Sequence, residues 1–174
     1  MSKAVLISVR PEWCEKILAG EKTMEVRKTR PRLETPFKVY IYCTLAASKE
    51  FKLDDHNWDV FARNYGGWPD RRGHVIAEFT CDEIDCVDIP YPAYQNLLNE
   101  KYLRESCVPY YDLHWRFGHD NAYFWHISDL KIYDNPRKLE EFIGLQSMRL
   151  GMRPIEVQRP PQSWRYVREE LKNE

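Results

Sequence analysis

The stretch Ile17-Leu-Ala-Gly-Glu-Lys-Thr-Met-Glu-Val-Arg-Lys-Thr-Arg-Pro31 constrains the fold more than any other part of the chain. It enters as an amphipathic helix, stops at Gly20 and leaves as a strand. Gly20 stands just past the helix end, where a left-handed backbone is wanted and glycine takes it without strain. Strand parity then puts Glu25, Arg27 and Thr29 on one face, with Met24 and Val26 on the other. Lys22, Glu25 and Arg27 thus gather an ammonium, a carboxylate and a planar guanidinium on a rigid corner, a better place for a polar site than a surface loop.

The flanking elements follow from pattern. Ala4–Val9 is short, apolar and β-branched and reads as a buried strand. Arg10 precedes a proline and stays extended, and Pro11 suits the first helical position. Trp13 with Ile17 and Cys14 with Leu18 give that helix an apolar stripe. In Phe37–Cys43, Phe37, Val39, Ile41 and Cys43 point inward and Lys38, Tyr40 and Tyr42 the other way. Residues 45–72 read as an insertion, with Trp58, Phe61, Ala62 and Tyr65 at helical spacing and Gly66-Gly67 as the stop. Gly73–Cys81 is a further strand. A helix is expected around Ala93–Ser106, an irregular aromatic stretch over Val108–Asn121, and a long strand over Ala122–Tyr133 bent near Ser128-Asp129. A short helix from Asn135 closes at Gly144, Ser147–Arg159 reads as irregular, and Pro160–Val167 packs back on the body. Five to six strands without regular β-α-β alternation predict an α+β domain around a small barrel. One domain over 1–174 is expected, with the insertion at about 45–72 and a tail at about 145–174.

Composition narrows the function classes. Net charge is −1, so the whole molecule exerts no global pull on nucleic acid, but the charge is uneven. From Arg10 to Arg32 seven basic residues face four glutamates, and from Arg149 to Arg168 five arginines face Glu156 alone. Glu78, Asp82, Glu83, Asp85 and Asp88 form an acidic run between them. Such polarity favours binding an anion on one side. No run of about 18 apolar residues is present, and the N-terminal apolar stretch is too short for a signal peptide. Five scattered cysteines without a C-x-x-C pair favour reduced thiols and a cytoplasmic location. Cys81 with Cys86 and His114 with His119 lack a closed zinc spacing, so no metal and no cofactor is expected.

At Gly20-Glu-Lys-Thr-Met-Glu-Val-Arg27 the chain resembles the G-x-K-x-x-E-x-R signature of the ASCH family (activating signal cointegrator homology), part of the PUA-like superfamily. The order of elements and the late Pro161-Gln-Ser-Trp164 are also similar to phage-borne and bacterial ASCH-like proteins. The resemblance implies a PUA-like pseudobarrel with a cleft between barrel and first helix, in which RNA or a nucleobase binds. A bacterial subgroup resembles amidohydrolases acting on N4-acetylcytidine. That subgroup keeps the lysine, here Lys22, but has threonine where this chain has Glu25. Thr23, next along, faces the opposite way on a strand, and the departure counts against that reaction.

In a binding role, Lys22 and Arg27 would hold phosphate or a base carbonyl and Glu25 would accept from an exocyclic amine. Arg10 and Ser8 are weaker candidates to line the site. Among the aromatics that would stack bases (Tyr40, Tyr42, Trp125, Trp164, Tyr166), Trp125 beside His126 is the pair to test first. In an enzymatic role, Lys22 and Glu25 would be the acid/base groups of a nucleoside amidohydrolase or ribonuclease. A third alternative is a protein-interaction module of mobile-element origin that uses residues 45–72 and the tail. The expected partner is RNA or a modified nucleobase or nucleoside, with no membrane; the oligomeric state is not legible.

Overall fold

In this computed structural model residues 2–45, 71–118, 120–149 and 151–170 are described. The expected helix within residues 45–72 and the imidazole of His119 lie outside them.

The order of elements is β1 (Lys3–Val9), α1 (Pro11–Leu18), β2 (Met24–Arg27), β3 (Phe37–Cys43), β4 (Val75–Cys81), β5 (Ile84–Asp88), α2 (Glu100–Ser106), α3 (Tyr110–Phe117), β6 (Asn121–His126), β7 (Ser128–Arg137), β8 (Ile143–Met148), β9 (Gly151–Glu156) and β10 (Trp164–Arg168). The ten described strands form two sheets. Seven run in the order β7-β4-β3-β1-β10-β8-β9, and three in the order β2-β6-β5. This is an α+β fold, with two open sheets among the described residues in place of one closed barrel.

β1 lies at the centre of the large sheet, parallel to β3 and antiparallel to β10. Its apolar run suits a strand covered on both faces. Val5, Ile7 and Val9 join Val39, Ile41, Phe79 and Trp125 in one core, while Ala4 and Leu6 join Tyr40, Tyr42, Tyr133 and Phe142 in another. Tyr40 and Tyr42 therefore do not face solvent, because the far face of β3 carries a second core. A third core fills the space between the small sheet and α3, with Met24, Val26 and Phe124 against Leu113 and Phe117.

Several expectations change. Ser147–Arg159 is not irregular: β8 and β9 form a hairpin through Met148, paired with Gly151. Asn135 and Pro136 belong to β7, a short 3-10 turn covers Leu139–Glu141, and Gly144 lies within β8. The expected helix around Ala93–Ser106 divides into a 3-10 turn, Pro92–Leu97, and α2, because the Asn99 side chain caps a new helix by accepting from the Lys101 amide at 2.9 Å. Val108–Asn121 holds the two-turn helix α3. The acidic run includes β5, which pairs with β6. The long strand breaks near the expected place: β6 stays in the small sheet, and Asp129 at φ 47° turns β7 into the large one.

Candidate functional site

The site begins at the end of α1. Gly20 has φ 74°, its amide donates to Ile17 O at 3.0 Å, and the Glu21 amide reaches back to Lys16 O at 2.9 Å. These two bonds satisfy the last carbonyls of the helix and set the chain's exit angle. The side chains at the ends of this turn are paired too, Lys16 with Glu21 at 3.3 Å.

Lys22 follows, turned inward and 2 % exposed. Its ammonium donates to Met24 O at 2.8 Å and to Ser106 O at 2.7 Å. It faces the Glu25 carboxylate at 3.4 Å. All three N–H directions thus have an acceptor, and one of these is a terminal carbonyl of α2, where the helix dipole favours a cation. The Thr23 amide donates to Glu105 O at 2.8 Å and ties the corner to the same helix end. The Trp13 ring covers the ammonium from 5.4 Å. Burial is the main cause pulling the Lys22 pKa below its ordinary range, and Glu25 pulls it back up.

Glu25 and Arg27 share the face of β2 directed at the large sheet. Arg27 Nε lies 3.1 Å from Glu25 Oε1. One terminal nitrogen of Arg27 donates to Ser8 O at 2.8 Å and the other to Ser163 O at 3.2 Å. Ser8 Oγ donates to Pro161 O at 2.6 Å, and Trp164 Nε1 to Thr29 Oγ1 at 3.0 Å. The octet and the Pro-Gln-Ser-Trp segment, far apart in sequence, are one bonded unit. Arg27 straps the small sheet to the large one.

In front of this unit lies a cleft of about 450 Å³, within the range of small-ligand sites. Ser8, Val9 and Thr44 form one wall, and Glu25, Val26 and Arg27 form the other. Arg10 and Trp13 stand at its α1 end, and Arg116 of α3 and Gln162 complete the rim. The charged members are three arginines around one carboxylate. Arg10 and Arg116 are exposed, whereas Arg27 is held.

The structure thus brings together Ser8, Arg10, Glu25 and Arg27, with Lys22 behind Glu25 and screened from the cleft by Trp13. It separates Trp125 and His126. Trp125 pairs opposite Glu25 but is fully buried, edge-on to Phe37 at 6.1 Å, so neither ring face is open to a base. Its indole N–H has no acceptor among the described residues. His126 points to the opposite face of the small sheet, where Nε2 meets Asp85 Oδ2 at 3.0 Å. Glu83, Asp85 and His126 bring three ligand-type atoms within 4.8 Å, but Asp85 is already shared with Lys101 at 3.8 Å. Sequence reasoning missed Trp13, Arg116, Thr44 and Gln162 as cleft residues. The N-terminal turn of α1 placed Trp13 within reach; Arg116 carried no signal, because its helix was not recognised.

No protein-family model matches the sequence, and comparison with curated proteins finds no match either. Solved structures do. A tyrosine-to-phenylalanine variant of an ASCH protein from Zymomonas mobilis matches with TM-score 0.54 and 21% identity over 97% of this chain and 92% of that one. A serine-to-alanine variant matches with TM-score 0.53 and 20% identity over 95% and 89%. The structure titled simply ASCH from the same organism gives 0.53 and 21% over 95% and 88%. This chain has the ASCH fold. The ASCH-like octet and its bonded Pro-Gln-Ser-Trp partner therefore sit on a backbone of ASCH architecture over nearly its whole length. No described helix is long and apolar enough to cross a membrane.

Proposed function

We propose that this ASCH-fold protein binds RNA through a nucleobase seated in the cleft between β1, α1 and β2. The observation that carries the reading is Glu25. Its carboxylate borders the cleft and is held between the Lys22 ammonium at 3.4 Å and Arg27 Nε at 3.1 Å. A carboxylate held in place by two cations presents a fixed acceptor to an exocyclic amine, which a cationic site alone cannot recognise. The Trp13 face offers a stacking wall, and Arg10 and Arg116 are placed to meet phosphates while Arg27 keeps the wall rigid. Lys22 serves this site from behind by fixing Glu25.

A second reading has one specific observation in its favour. Burial lowers the pKa of Lys22, as an acid/base lysine requires. A nucleoside amidohydrolase or ribonuclease acting in the same cleft would use Lys22 and Glu25, with Trp13 moving aside to expose the amine.

Titration of labelled single-stranded RNA, with mass spectrometry of the RNA and of acetylated cytidine after incubation, separates the readings. Binding without conversion is expected, and the slope of log affinity against log salt is about −1.5 to −2 for two to three phosphate contacts. Arg10→Ala, exposed and outside the core, weakens binding severalfold without changing the melting temperature. No binding at low salt overturns the proposal; turnover abolished by Lys22→Met establishes the second reading instead.

A further inference from the structure

Among the described residues, the large exposed aromatics are not the ones the strands display. Trp115 is 85 % and Tyr111 60 % exposed, both on α3. They stand one helical turn apart and make an aromatic strip on the outward side, opposite Leu113 and Phe117 in the core. Arg116, adjacent to Trp115 in the chain, lines the cleft. The two exposed rings and this rim arginine thus share one two-turn helix.

We infer that α3 carries a second nucleotide subsite, and that the ligand of the cleft is a segment of single-stranded RNA and not an isolated nucleoside. The inference rests on the nucleobase reading of the cleft. The base in the cleft is followed by a phosphate on Arg116, and the neighbouring base lies on the Trp115 ring, with Tyr111 continuing the platform. A highly exposed tryptophan on a helix that also carries a rim arginine supplies a stacking ring and a phosphate-binding cation, the two groups that bind unpaired bases regardless of sequence.

The test uses the full chain, the four ribonucleoside monophosphates and the four matching homopolymeric pentaribonucleotides, titrated into wild type, Trp115→Ala, Trp115→Phe and Arg10→Ala. Pentanucleotides are expected to bind tighter than the monophosphate of the same base. Trp115→Ala should weaken the pentanucleotide about tenfold and leave the monophosphate unchanged, and Trp115→Phe should restore most of the loss. Equal melting temperatures confirm that each variant is folded. If Arg10→Ala weakens both ligands while Trp115→Ala weakens neither, the cleft reading stands and the second subsite is overturned. If neither ligand binds, the cleft reading falls and takes the subsite with it. Pentanucleotide binding that depends on Trp115 but not on Arg10 overturns a path through the cleft. Wild-type self-association that Trp115→Ala dissolves, with RNA affinity unchanged, makes the strip a contact between copies and also overturns the inference.

Discussion

Lys22 shows how one residue can serve the fold and the proposed site together. Its ammonium closes the C-terminal end of α2, satisfies a carbonyl of β2 and orients Glu25. Removing one partner of a buried charge pair costs about 3–5 kcal/mol, and Arg27, still beside Glu25, keeps the cost near the lower figure. Lys22→Ala is therefore expected to lose about 3 kcal/mol in urea unfolding, and Lys22→Met, which fills the space, less. A second prediction concerns Cys81. Burial, with Asp82 adding to it, pushes this thiol up to about 12 from 9.0. The folded state holds the proton that the unfolded chain releases, so the contribution is complete below about pH 9 and is lost as pH rises toward 12. Cys81→Ala should flatten the fall in urea midpoint between neutral pH and pH about 10.5; an unchanged slope would show that other groups set it. The charged members of the octet were legible in sequence, but the burial of Lys22 was not, since its acceptor Ser106 O belongs to a helix 84 residues away.

The elements read correctly from sequence are those whose signals are local. β1, α1, the Gly20 stop and β3 follow from apolar runs, Pro11, a glycine at positive φ and strict alternation. Gly20→Ala should cost about 1–2 kcal/mol, since the left-handed backbone is required. A β-carbon there meets nothing within 4 Å, so the loss is backbone strain alone and Gly20→Asn should recover part of it. A loss well above that figure in thermal unfolding would mean that the corner also packs against something. The elements missed depend on partners. β5 looks like a solvated acidic run because its register with β6 leaves Asp85 and Asp88 outside the core. The β8–β9 hairpin has little apolar alternation and is held by pairing with a neighbour, β10. α3 is short and aromatic on both sides, so its period is hidden.

At the scale of the molecule, the two sheets meet at β2, and the cleft is the seam between them. Arg27 ties that seam through Ser8 and Ser163 and so bonds the octet to the Pro-Gln-Ser-Trp segment. A net charge of −1 conceals a rim with three arginines facing one carboxylate, so the proposed attraction for RNA is local and not global. Among the described residues most of the rings pack in three cores, and Trp115 is among those left outside them. The measurement that bears most directly on this account is an amide-resolved NMR titration of the protein with a short single-stranded RNA. Saturable shifts should appear at Val9, Arg10, Val26, Arg27 and Thr44 and extend to Trp115. Shifts confined to the basic β8–β9 hairpin, or none at any RNA concentration, would contradict it.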